Sequence, residues 1–207
     1  MSKAAAIKHG YTSGARTLAA RSMGGLARTR VTPNALTASG VLLCAAAAIV
    51  LPFENRSEFL FYWLGALLFL SGSLLDILDG ALARAGGRST PFGAFLDSTT
   101  DRISEGFVLA AIAFIFARHA HDVFVVVTVA AVGGSFLVSY TRARAEALGL
   151  RGDIGIGSRA ERVVVITAGL VFAPWGVLPW AIVALTITVW ITVLQRIFSV
   201  RAQLLSR

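Results

Sequence analysis

Apolar residues gather into six long runs separated by short polar breaks, and this alternation is the strongest signal along the chain. The runs cover roughly residues 34–52, 58–85, 91–117, 122–148, 158–173 and 177–204. Stretches near 20 residues are what an α-helix needs to cross a hydrocarbon core about 30 Å thick. The pattern therefore predicts an all-α integral membrane bundle of six transmembrane helices. The fifth run is the shortest, because Pro174 closes it early. Before the first run, Thr32-Pro33-Asn34 supplies a stop and then a helix start.

The segment ahead of that start has a different character. Residues 1–33 carry Lys3, Lys8, Arg16, Arg21, Arg28 and Arg30 and no acidic residue. Between Tyr11 and Leu26 apolar residues alternate with arginines at loosely helical spacing, the pattern of a basic amphipathic helix lying on a membrane face. Two parts are expected: a cytoplasmic basic amphipathic juxtamembrane segment over 1–33, and a six-helix membrane domain over 34–207. The polar start of the chain offers no apolar signal core, so no cleavable signal peptide is expected.

Composition agrees with the run pattern. Of 207 residues, 56% are hydrophobic and only 14% charged, against about 25% charged in soluble domains. The mean hydropathy is +0.74. The lone Cys44 excludes an internal disulfide. Glycines inside the runs, such as Gly65, Gly72, Gly133, Gly134 and Gly169, suit close helix–helix contact. A net charge of +8 raises nucleic acid as a partner, but the basic residues sit at the ends of apolar runs. They concentrate in the amino-terminal segment, the second and fourth connections and the carboxyl terminus, whereas the opposite connections carry only Arg56 and Arg118. That asymmetry sets both termini in the cytoplasm of an inner-membrane protein, and it explains the charge without nucleic acid.

One polar stretch interrupts the apolar sequence. Asp76-Ile77-Leu78-Asp79-Gly80-Ala81-Leu82-Ala83-Arg84 is followed, after eight residues, by Gly93-Ala94-Phe95-Leu96-Asp97-Ser98-Thr99-Thr100-Asp101. Asp76 and Asp79 share one helix face, and Asp97 and Asp101, four apart, share another. The short connection between the second and third runs makes their helices antiparallel neighbours, so the two pairs should meet at the cytoplasmic end. An aspartate deep in a bilayer costs about 2.5–3.5 kcal/mol on insertion scales, so four together call for a cation. Oxygen donors alone suit Mg²⁺, or Mn²⁺, in one or two ions. Such a site would clamp a diphosphate and neutralise charge on a leaving phosphate. A buried polar network between helices is the bland alternative, poorly compensated with so few cations nearby. A cation transporter also places acids in its spans, but usually at the midplane and on matched broken helices, which this chain does not display.

The full spacing, Asp-x2-Asp-Gly-x2-Ala-Arg-x8-Gly-x3-Asp-x3-Asp, resembles the motif of the CDP-alcohol phosphotransferase family at every fixed position. The resemblance implies a metal-dependent membrane enzyme that displaces CMP from a CDP-linked lipid. It implies that Asp76, Asp79, Asp97 and Asp101 hold divalent metal, with two Mg²⁺ ions expected, and that Asp101 is also the general base. It further implies nucleotide and donor-lipid contacts at Gly80, Arg84 and Thr90 and at Asn34, Ala35, Leu36 and Thr37, where the first run begins. A homodimer is implied as well.

A second stretch bears on the acceptor. Ser139-Tyr140-Thr141-Arg142 and Arg159-Ala160-Glu161-Arg162 bring arginines to the cytoplasmic ends of the fourth and fifth runs, and Arg196 stands in apolar sequence in the sixth. Guanidinium groups bind phosphate bidentately, and Arg196 so placed should want an anionic partner. Within the family, the pattern resembles the actinobacterial phosphatidylinositol phosphate synthases. That implies CDP-diacylglycerol as donor and an inositol phosphate as acceptor, its phosphate held by Ser139, Arg142, Arg162 and Arg196. Arg142 stands where several relatives have Lys, and the loop 153–158 varies. Glycerol 3-phosphate, which also offers a phosphate and a hydroxyl, remains the competing acceptor.

Overall fold

In the computed structural model, the backbone is described over residues 33–85 and 90–206, and side chains over 35–78 and 90–206. The expected amphipathic helix in 1–33 lies outside the described residues. The rest is all-helical: α1 (Pro33–Val50), α2 (Glu58–Ala85), α3 (Pro91–Arg118), α4 (Asp122–Ala147), α5 (Arg159–Val171) and α6 (Leu178–Leu205), with single 3₁₀ turns at Leu51–Phe53 and Ala173–Trp175. Every apolar run became one helix, with ends within a residue or two of the expected bounds. Local chemistry explains the better-defined starts. Thr90 accepts a hydrogen bond from the Gly93 amide at 3.0 Å and Pro91 opens α3, while Ser158 and Glu161 form a reciprocal capping box that starts α5.

Among the described residues, four helices are long and apolar enough to cross a membrane: α1 with the 3₁₀ turn that follows it, α2, α4 and α6. α3 is equally long but carries Asp97, Asp101, Arg102 and Glu105 between its start and its middle, and α5 has only 13 residues.

The helices close into a ring. Around it the order of packed neighbours is α1, α2, α5, α6, α4 and α3, which returns to α1. α2 and α3, expected as neighbours along their length, touch only sparingly; each lies instead against α1. The interior is filled by side chains such as Phe69, Leu109, Ile112, Ile166, Ile182 and Val189, all essentially without exposure. The outer surface presents Trp63, Leu67, Val126, Ile187 and Phe198 to the surroundings, as a bundle in lipid does.

The tightest contact explains a glycine pair. A Cβ on Gly72 would stand 2.6 Å from the Gly40 carbonyl oxygen and 2.7 Å from Cys44 Sγ, and one on Gly40 would stand 2.9 Å from the Gly72 carbonyl oxygen. Only backbone fits at this α1–α2 crossing. It lies one turn before Asp76, so it presses the acidic end of α2 against the start of α1.

At the opposite end of the bundle, the buried Glu54 accepts from Arg118 and pairs with His119 at 3.0 Å, while Arg118 also donates to the Pro52 carbonyl at 2.6 Å. This ties the α1–α2 turn to the end of α3 and closes the ring away from the acidic cluster.

Candidate active site

Asp76 sits near the end of α2, and Asp97 and Asp101 lie within the first three turns of α3. One carboxylate oxygen from each comes within 4.8 Å of the others. The convergence expected from the motif is therefore real for these three. Asp79 follows on α2 with Gly80 and Arg84, and Asn34 is the second residue of α1; the side chains of all four lie outside those described. Ala35 is exposed on the first turn of α1, while Leu36 and Thr37 are buried there. Thr90 is exposed at the start of α3, its hydroxyl engaged in the cap.

The acidic set opens into a cavity of about 470 Å³ whose wall includes Asp97, Asp101, Ser139, Arg142, Arg162 and Arg196. All four residues expected to hold the acceptor phosphate thus face the same space as two of the acids. Arg102, Glu146, Asp153 and Arg159 complete its charged lining.

The surroundings of each arginine differ. Arg142 is exposed and pairs with Glu146, one turn on, at 2.9 Å. Arg162 is buried and bound by the Glu105 carboxylate, Nε to Oε1 at 2.9 Å and Nη2 to Oε2 at 2.8 Å. Arg196, expected to want an anionic partner, is held by two backbone carbonyls instead: Nε donates to Ile154 O at 2.8 Å and Nη1 to Val138 O. Carbonyl dipoles hold a guanidinium in place without neutralising it, so its full charge faces the cavity.

The loop before α5 supplies one of those carbonyls. Gly155 has φ +125°, and a Cβ there would stand 2.4 Å from Thr192 Cγ2 on α6. The Gly157 amide donates to Thr192 Oγ1 at 2.8 Å. The loop is thus pressed flat on α6, which brings the Ile154 carbonyl over Arg196.

Two site residues were not singled out by the sequence reading. Arg159, the first residue of α5, forms ion pairs with both Asp76 and Asp101. It stands three residues before Arg162, so the two share one face of α5. Glu105 continues the row Asp97, Asp101 by one further turn of α3; extending the four-residue spacing would have found it.

The donor set fits a divalent cation. It consists of carboxylate oxygens alone, within 4.8 Å of one another, with Asp76 buried and Asp97 and Asp101 partly buried. Asp101 Oδ1 is buried in ion-pair contact with Arg159 yet accepts no well-directed hydrogen bond, so it retains capacity for a further partner.

Comparison with known proteins agrees with this arrangement. The model of the CDP-alcohol phosphatidyltransferase family matches residues 30–197. The phosphatidylinositol phosphate synthase of Mycobacterium tuberculosis is 38% identical over 184 residues, spanning 85% of this chain and 82% of that protein. The archaetidylinositol phosphate synthase of Pyrococcus horikoshii is 36% identical over 180 residues, spanning 86% and 88%. A crystal structure of the M. tuberculosis synthase with CDP-DAG bound superposes with a TM-score of 0.76 at 34% identity, covering 89% of this chain and 94% of that one. A second structure of that synthase, in complex with manganese and citrate, gives the same TM-score over 88% of each chain. With the motif, the acidic convergence and these likenesses together, the chain belongs to the CDP-alcohol phosphatidyltransferase family and is a metal-dependent membrane phosphatidyltransferase.

Proposed function

We propose that this protein transfers the phosphatidyl group of CDP-diacylglycerol to an inositol phosphate, releasing CMP. The observation that carries the reading is the single cavity shared by Asp97, Asp101 and the arginines at 142, 162 and 196. A lipid-linked diphosphate at the acids and a phosphate at the arginines would meet across it. The M. tuberculosis and P. horikoshii relatives are named for different lipid products, yet both names carry inositol phosphate. That shared part of the names favours this acceptor.

Asp76, Asp79, Asp97 and Asp101 would hold Mg²⁺, two ions with this many carboxylates, and bound metal would neutralise charge on the diphosphate as CMP departs. Asp101 accepts the proton of the acceptor hydroxyl as that oxygen attacks the phosphorus bearing the diacylglycerol. The bond from that phosphorus to CMP breaks in line. Ser139, Arg142, Arg162 and Arg196 bind the acceptor phosphate. Asn34, Ala35, Leu36, Thr37, Gly80, Arg84 and Thr90 line the donor side.

All six helices cross the membrane in this reading. Of the α3 charges that lower its hydropathy, Asp97, Asp101 and Arg102 line the cavity and Glu105 is buried against Arg162, so none of them needs to face lipid. Residues 34–207 form the membrane domain and 1–33 an interfacial basic segment. The site and both termini face the cytoplasm of the inner membrane, where CDP-linked lipids and soluble sugar phosphates meet, and two copies associate as a homodimer.

The test is a membrane assay with CDP-diacylglycerol and, separately, inositol phosphate, free inositol, glycerol 3-phosphate or serine, reading CMP release and the mass of the lipid product. Phosphatidylinositol phosphate as the main product is expected. Phosphatidylglycerophosphate alone would overturn the acceptor, and no CMP with any of them would overturn the proposed transfer.

A further inference from the structure

Glu105 has no part in the chemistry above, yet it is buried at 6% exposure, one turn beyond Asp101. Its carboxylate is given over to one partner. Arg162 Nε donates to both oxygens, at 2.9 and 3.1 Å, and Nη2 donates to Oε2 at 2.8 Å. Arg162 Nη1 donates to the Gly157 carbonyl at 3.1 Å. A guanidinium has five N–H donors in a fixed plane. These contacts use the Nε–H, one N–H on Nη2 and one on Nη1, which leaves one donor on each terminal nitrogen. Arg162 also lines the cavity, and two terminal donors are what bidentate phosphate binding requires.

We infer that Glu105 is a positioning residue for the acceptor site: it fixes the rotation of the Arg162 guanidinium so that the remaining donors meet the acceptor phosphate. The inference rests on the reading that the arginine-lined cavity holds that phosphate. A purely stabilising pair explains the arrangement less well. Desolvating two charges consumes much of what their attraction returns, so a buried pair is a poor source of stability. Orientation is what a carboxylate locked on the side of a guanidinium supplies. The register adds to this. Asp101 and Glu105 are neighbours on one face of α3, separated by about 6 Å along the axis. One helix would then set both the base for the attacking hydroxyl and, through Arg162, the anchor for the phosphate of the same acceptor.

The test uses the purified full-length protein, measuring CMP release with CDP-diacylglycerol and inositol phosphate for wild type, E105Q, R162Q and the double variant. E105Q is expected to raise the acceptor KM by about tenfold or more, the scale of a lost charge-assisted hydrogen bond. The donor KM should stay unchanged, and the double variant should be no worse than R162Q. An acceptor KM within twofold of wild type in E105Q, where R162Q raises it, overturns the positioning role and leaves the acceptor site standing. Multiplying of the two single effects in the double variant overturns it as well. If R162Q itself leaves the acceptor KM unchanged, the acceptor reading falls and this inference with it. Should E105Q not fold, E105D keeps the charge but draws Arg162 back by one methylene. A smaller rise confined to the acceptor KM is then expected, and an unchanged acceptor KM, or equal losses for donor and acceptor, overturns the role.

Discussion

Removing the charge of Arg159 should loosen the protein when divalent ions are scarce and strengthen its response when they are added. Arg159 pairs with Asp76 and Asp101, and with Asp97 these make up the carboxylate cluster whose oxygens lie within 4.8 Å. At that separation and an effective dielectric near 20, two carboxylates repel by about 3 kcal/mol, and three carboxylates make three such pairs. The Arg159 side chain is 26% exposed and that of Asp76 only 6%, so water screens the cluster incompletely. In R159Q the side chain can still donate a hydrogen bond, but the compensating charge is gone. Breaking a fully buried pair by removing one partner costs about 3–5 kcal/mol. With the partial exposure here, about 2 kcal/mol is expected, which for a chain of this length lowers Tm by about 4–8 °C.

Divalent cations should act in the opposite direction. The two carboxylates that pair with Arg159 belong to the set that would hold the metal, so in wild type the two cations compete. Without the guanidinium, ion affinity should rise by about tenfold for each 1.4 kcal/mol of competition removed. The assay is thermal unfolding of purified protein in EDTA and across an Mn²⁺ or Mg²⁺ titration, with Mn²⁺ binding followed independently by electron paramagnetic resonance. The expected pattern is a lower Tm in EDTA, a larger ion-induced rise and a lower Mn²⁺ Kd for R159Q. Equal Tm in EDTA, or an ion response no greater than that of wild type, would refute the competition.

Three further outcomes are expected. D101N removes the proposed proton acceptor while preserving shape, so turnover should be lost while the fold and donor binding persist; CMP release and CDP-diacylglycerol binding measure the two sides, and substantial turnover would dismiss Asp101 as base. R196A takes an uncompensated guanidinium from the cavity, and the acceptor KM should rise by about tenfold or more with the donor KM little changed, as steady-state kinetics would establish. G72A places a Cβ 2.6 Å from the Gly40 carbonyl oxygen, an overpacking that costs about 1–3 kcal/mol and should appear as a lower Tm together with weaker ion binding, because Asp76 lies one turn away.

The helices and the acidic set were legible because each rests on local periodicity. Run length and breakers give α1–α6 their bounds, and three- and four-residue spacings put the aspartates on shared faces before any tertiary contact is considered. The neighbour order was not legible in this way. A short connection made α2 and α3 look like packed partners, yet the Gly40–Gly72 crossing draws α2 onto α1, and α3 packs on the other side of α1. Arginine roles were harder still. Glu105 and Arg162 are 57 residues apart and Arg159 and Asp76 are 83 apart, and no spacing rule links positions so distant. Arg196 shows a further obstacle. Its partners are the carbonyls of Ile154 and Val138, and backbone acceptors are carried by every residue and leave no trace in sequence.

Those distant contacts converge on the first turn of α5, where the two halves of the site are joined. The capping box of Ser158 and Glu161 fixes where that helix begins, and the three-residue offset then sets Arg159 toward Asp76 and Asp101 and Arg162 toward Glu105. Both arginines thus lean on α3, at positions one turn apart. A shift of the α5 start by one residue would rotate both by about 100°, removing the counter-charge from the acidic cluster and the anchor from the arginine pocket together. The loop pressed on α6 by Gly155 and Gly157 resists such a shift, since it holds the backbone immediately before Ser158. The shortest helix is therefore the element that couples the acidic side of the cavity to its arginine-lined side.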